Sequence, residues 1–168
     1  SSLITRTDFE TLVQTPVGWR GVGLNHSVWN IEHPNGSTAA NGTPSQATDG
    51  QQVLATQGLG GLGQNMSGCL LSPVWDLPDF IGQFNLTFDQ WLALEDSDAA
   101  WVEMRILGGQ WTTILPDSGY ANTTGAVGAP LQTWAGATAG WTSVQFSLDD
   151  QIQSSGSAFE LRFCFQTS

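Results

Sequence analysis

The stretch Phe84–Ile114, FNLTFDQWLALEDSDAAWVEMRILGGQWTTI, decides the fold. Phe84, Leu86, Phe88, Leu92 and Leu94 alternate with Asn85, Thr87, Asp89, Trp91 and Ala93, the period of two expected of a half-buried strand. After an acidic loop over Glu95–Asp98 the alternation resumes, with Val102, Met104 and Ile106 on one face and Trp101, Glu103 and Arg105 on the other. Gly108-Gly109 marks a turn into Trp111–Ile114. No helical period fits these residues. They predict the middle of an antiparallel β-sandwich.

Length and composition agree with that reading. The chain has 168 residues, 20 Gly and 7 Pro, which suits one all-β domain with a sizeable core. It has no Lys and four Arg against 15 Asp plus Glu, a formal net charge of -11. Nucleic acid, whose phosphates need cationic partners, is a poor match for that balance, as are anionic membrane surfaces. No apolar run reaches membrane-spanning length, so no membrane span is expected. Only 11% of residues are charged, so solubility must come from elsewhere.

The asparagines suggest the source. Six of seven open an Asn-x-Ser/Thr sequon: Asn25, Asn35, Asn41, Asn65, Asn85 and Asn122. A Ser/Thr-rich strand protein yields sequons by chance, but with this composition only about one in seven asparagines would do so. The excess predicts an extracellular or cell-surface glycoprotein whose covalent N-glycans supply the solvation that charge does not. Cys69 and Cys164 are the only cysteines, and an even count in an exported chain predicts one disulfide between them. Two buried free thiols are the competing reading.

Elsewhere the chain is punctuated by loops. Residues 33–50 form the longest, with two sequons, and loops of that length usually carry function or glycans. Residues 58–68 contain GLGGLG, but no βαβ pattern surrounds it, so a dinucleotide site fails its context test. Cys69–Leu77 reads as a strand broken at Pro73, hence an edge or kinked strand. Residues 116–140 read as irregular, Trp141–Leu148 as an alternating strand, and Phe159, Leu161, Phe163 and Phe165 as one core face of the last strand.

In order, several signposts stand out: Asp8-Phe9-Glu10 with Gly18-Trp19, Trp29 with Ile31, Asp49-Gly50, Leu71-Ser72-Pro73 with Trp75-Asp76-Leu77, and Phe88 with Trp91. They continue with Asp98 before Trp101-Val102, Trp111–Ile114, Trp141 ahead of Leu148-Asp149, and Leu161-Arg162-Phe163. Over nearly the whole chain this order resembles a MAM-like jelly-roll domain of secreted and cell-surface proteins, as in immune-inhibitor-A-type metalloprotease accessory domains. The resemblance implies a two-sheet antiparallel β-sandwich (jelly roll) over residues 8–168 with no catalytic machinery. The family's final strand, after the one like Leu161–Phe165, has no counterpart here. Residues 1–7 precede the first strand that the family needs and are the candidate donor strand for another subunit, giving a head-to-tail filament or surface layer. A truncated domain or cleaved product is the plainer explanation.

Enzyme readings are weak. His26 and His33 lie in or beside loops without a nucleophile signature, and Glu95, Asp96 and Asp98 suit a solvated turn better than a glycosidase pair. A structural Ca2+ is the expected chemistry. By resemblance its ligands are Glu10 and Asp49, with Asp8 beside them, and the alternative set is Glu95, Asp96 and Asp98. Of eight Trp, five coincide with structural aromatics of the family: Trp19, Trp29, Trp91, Trp111 and Trp141. Trp75, Trp101 and Trp134 remain as candidates for contact with a sugar or a protein. The leading expectation is a non-enzymatic N-glycosylated structural or adhesion subunit that associates with itself or with other surface proteins. The alternative is a carbohydrate-binding accessory module of a larger secreted hydrolase, with a glycan ligand.

Overall fold

A computed structural model describes residues 18–25, 29–32, 34, 44, 46–49, 51–56, 63–76, 83–121, 129–130, 132–149 and 158–168. The described residues form ten strands and no helix: β1 Arg20–Val22, β2 Trp29–Glu32, β3 Val53–Thr56, β4 Ser67–Leu71, β5 Trp75–Asp76, β6 Asn85–Gln90, β7 Ala99–Ile106, β8 Thr112–Ile114, β9 Thr142–Ser147 and β10 Ala158–Gln166. The largest sheet runs β1-β4-β10-β7-β8, with β5 also paired to β10. Two ribbons, β2-β3 and β6-β9, complete the antiparallel pairing.

The expected alternation places the core. Val102 and Met104 from β7, Ile114 from β8, and Phe159 and Leu161 from β10 meet Phe146 and Leu148 from the β9 side. Phe84, Leu86, Phe88 and Val144 close over them from the ribbon. Rings interlock across the layers: Phe84 meets Phe159 edge-on at 5.2 Å between centroids, and Phe88 meets Phe163 at 5.4 Å. The β6-β9 ribbon therefore packs face to face on the large sheet, and the chain is an all-β sandwich. Trp29 touches Phe165 at 6.1 Å, which joins β2-β3 to the same frame.

Three local readings change. First, the segment broken at Pro73 is kinked, and its β4 half is internal, between β1 and β10, while its β5 half pairs among the described strands with β10 alone. Pro73 has no N–H to give. Ser72 bridges the break instead: its N–H donates to Leu161 O at 2.9 Å, and its Oγ accepts from Leu161 N at 2.9 Å. Pairing then resumes in β5. Second, the strand predicted over 84–94 ends at Gln90. Beyond it, Leu92 N donates to Thr138 Oγ1 (3.0 Å) and Leu94 N to Gly136 O (3.2 Å). Third, the stretch 116–140, predicted as irregular, supplies those partners. Trp134 also exchanges both backbone hydrogen bonds with Ala100, so this segment occupies the edge of β7 just before β8 takes it over.

The β7–β8 turn needs its glycines. Gly108 has φ +84°, and a Cβ on Gly109 would come within 3.0 Å of Ile106 O. The N-terminal extension 1–7 lies outside the described residues, as do His26 and His33. Among the described residues no helix is long and apolar enough to cross a membrane.

Candidate functional site

Each layer has an outer face, and the two are built differently. On the large sheet, β7 points Trp101, Glu103 and Arg105 away from the core, and β10 points Glu160, Arg162 and Cys164 the same way. The register sets Arg105 opposite Glu160, Glu103 opposite Arg162, and Trp101 opposite Cys164. Opposite charges directly across a strand pair attract, and both ion pairs form. The two carboxylates lie beneath the guanidinium groups: Glu160 and Glu103 side chains are 5% and 13% exposed against 33% and 28% for Arg105 and Arg162. Trp111, just before β8, folds over this square, its ring centre 4.6 Å from the Arg105 guanidinium carbon and 4.3 Å from that of Arg162. Each such contact contributes about 0.5–1 kcal/mol where partly exposed. The acids and bases that β7 and β10 place on this face are thus matched to one another.

The same face is stapled at its other end. Cys69 and Cys164 stand opposite one another in β4 and β10, with an S–S bond of 2.01 Å and Cα atoms 4.1 Å apart. Trp101 packs beside them, with Ala99 and Tyr120. Tyr120 OH donates to Ile114 O (2.7 Å) and accepts from Val102 N (3.2 Å), tying β7 to β8. Burial, with the Glu103 charge adding to it, pushes the phenol up to about 12 against the lowering effect of the Val102 N–H. It stays a neutral hydroxyl.

The outer face of the β6-β9 ribbon is polar, mostly uncharged and open. Its register rows are Asn85 with Ser147, Thr87 with Gln145, and Asp89 with Ser143, all six exposed. Ser143 Oγ donates to Asp89 Oδ1 at 2.6 Å. One residue beyond each strand, Trp91 and Trp141 continue the rows as an edge-to-face pair at 5.9 Å. Neither ring belongs to the two described core clusters. Trp141 Nε1 donates to Gln46 O (2.8 Å), which fixes that ring at its edge. Asp117, from the loop after β8, closes the free side of β9: its N–H donates to Gln145 O (2.8 Å), and Oδ1 accepts from Ser147 N (2.8 Å). Its other oxygen accepts from Ser147 Oγ (2.9 Å) and Gln145 Nε2 (3.0 Å). These donors, led by the Ser147 N–H, hold the Asp117 carboxyl below its ordinary value.

The residues singled out by sequence fall as follows. Glu10 and Asp8 lie outside the described residues, and Asp49 is exposed. Glu95, Asp96 and Asp98 do share a loop, but Asp98 is turned to the backbone: Oδ2 accepts from Glu95 N (3.1 Å) and Oδ1 from Ser168 N (3.0 Å). Among the described residues no three His, Cys, Asp or Glu side chains converge as a metal site. Asn65, at φ +56°, and Asn85 are exposed. Asn25 is half-buried, and its Oδ1 accepts from Ser67 N (2.9 Å). Asn35, Asn41 and Asn122 lie outside the described residues.

The tryptophans trade places. Trp101 is 8% exposed. Trp75 is wedged between Trp19 and Phe159, and Trp134 among Phe88, Tyr120 and Phe146. All three are in or packed against the described core clusters. Trp91 and Trp141, read as core aromatics, are the pair that lies on an outer face. Alternation carried through Gln90 puts Trp91 in line with Asp89 and Thr87, which was the available signal. No protein-family model matches the chain, and no curated protein or solved structure matches it either.

Proposed function

We propose that this chain is a non-enzymatic, N-glycosylated extracellular module with a structural or adhesive role, self-associating by strand addition with residues 1–7 as donor. The observation that carries the export reading is the Cys69–Cys164 bridge between adjacent strands of the large sheet, since such bonds persist in oxidising compartments. The exposed sequon asparagines Asn65 and Asn85 support it. A scaffold role is supported by the way Glu103, Glu160, Arg105, Arg162 and Asp98 are turned to partners within the fold. Strand addition needs an accessible edge. Among the described residues the large sheet ends at β1 on one side and β8 on the other, each three residues long.

The test uses full-length protein secreted from a glycosylating host. Intact mass before and after glycosidase treatment reads sequon occupancy, and a single unshifted mass removes the glycoprotein reading. Light scattering and negative-stain microscopy read assembly. Concentration-dependent polymers that become monomers on deletion of residues 1–7 are the expected result. Polymers that survive the deletion, or a monomer at every concentration, remove strand donation and leave the glycosylation result standing.

A further inference from the structure

We propose that the outer face of the β6-β9 ribbon, ending at Trp91 and Trp141, is a binding strip for a neutral polysaccharide. Sugars in such chains present two kinds of surface. Their C–H faces are apolar and slightly positive, and an aromatic ring, negative on its face, stacks on them. Their hydroxyls both donate and accept, so they pair with carboxylate, amide and hydroxyl side chains. The strip has both. Trp91 and Trp141 sit at one end, and Asp89, Ser143, Gln145 and Thr87 run away from them in two register rows. All four polar residues are exposed on one ribbon.

Their positions are fixed in advance. The Ser143–Asp89 hydrogen bond and the hold of Asp117 on Gln145 set two of the polar groups, and the Trp141–Gln46 bond sets one ring. A ligand therefore meets side chains already ordered, which lowers the entropy lost on binding. From the Asn85 row to the Trp pair is six residues of strand, about 20 Å. That length suits a chain of several sugar units rather than one. A glycan on Asn85 would border the far end of the strip and leave the Trp end accessible.

Charge selects the class of polymer. Among the described residues the ionisable groups on this face are Asp89, Asp117 and, just beyond the Asn85 row, Asp149, all acidic, and the described arginines, Arg20, Arg105 and Arg162, all belong to the large sheet. With a formal net charge of -11, the chain repels polyanions. An uncharged polyol chain is the occupant that fits. This proposal is independent of glycosylation and of strand donation, so it is tested on unglycosylated protein and stands or falls apart from them.

The experiment is native electrophoresis through gels containing β-glucan, xylan, mannan or polygalacturonate, with unfolding midpoints measured on every variant. At least one neutral polymer should retard the wild-type protein, and polygalacturonate should not. Trp141→Ala and Trp91→Ala should weaken retention at least tenfold. Trp141→Phe, which keeps a flat ring, should recover part of it, a result that loss of fold cannot imitate. Asp89→Ala, exposed and outside the core, should weaken retention at an unchanged midpoint. The proposal is overturned if no neutral polymer retards the protein, if only the polyanion does, or if both alanine variants at the Trp pair migrate as wild type does.

Discussion

The two outer faces of this sandwich rest on the same kind of strand pairing and yet are opposite in character. On the large sheet, Arg105 with Glu160 and Arg162 with Glu103 neutralise one another, Trp111 covers them, and a disulfide and a buried Trp101 fill the remaining length. On the ribbon, the facing residues are short, polar and exposed, with an aromatic pair at the end. Strong groups satisfied inside a fold stabilise it and leave little for a partner. Weaker groups held in place but still exposed contribute little to stability and are available for recognition. Stability and binding are thereby assigned to different faces.

If that division is right, cutting the large-sheet face should cost far more stability than cutting the ribbon. The largest loss is expected from replacing both Cys69 and Cys164 with Ser. The bridge closes a loop with a sequence separation of 95, and the chain-entropy argument gives about 4 kcal/mol, measurable as a lower denaturant midpoint. Next comes Glu160→Ala, which leaves Arg105 without its buried acid. Breaking a buried pair costs about 3–5 kcal/mol, and since the Arg105 side chain is one-third exposed solvent screening reduces this to about 2 kcal/mol. A loss as small as that from Thr87→Ala on the ribbon, expected within about 0.5 kcal/mol, would erase the contrast.

The smallest effect is the acid dependence of Asp117. Its carboxyl is depressed in the folded state relative to its ordinary 3.8. Its contribution is therefore complete above that value and is lost as pH falls through the lower folded one. Comparing wild type with Asp117→Asn isolates it from the other carboxylates. The stability difference should be constant near neutral pH and shrink below pH 3.8. Faster hydrogen exchange at the Ser147 amide in the variant should accompany it, because that N–H then donates to a neutral amide oxygen in place of a carboxylate.

Much of the large-sheet face was legible in the sequence, for a physical reason. Strand periodicity sorts side chains between two faces regardless of what packs on them, so Trp101, Glu103 and Arg105 could be placed opposite Val102, Met104 and Ile106. The pairing of Cys69 with Cys164 followed from there being only two cysteines. Periodicity does not give register across strands. That Arg162 faces Glu103, 59 positions away, and that Trp111 lies on both Arg105 and Arg162, the latter 51 positions away, depends on distant pairing and on a turn geometry no local pattern specifies.

The Trp pair of the ribbon face was missed because the resemblance counted both rings among its structural aromatics. Trp91 and Trp141 are 50 positions apart, and each taken singly resembles an ordinary core aromatic; only the antiparallel register of β6 with β9 makes them a pair. The role of Ser72 at the Pro73 break was likewise invisible, since it needs Leu161 beside it. By itself, then, the sequence determined that the chain is all-β, how the alternating residues of its strands divide between two faces, and which cysteines pair, because alternation and cysteine count are local or compositional. Tertiary structure alone decided which outward groups neutralise one another and which stay open, because that depends on neighbours brought together from distant parts of the chain.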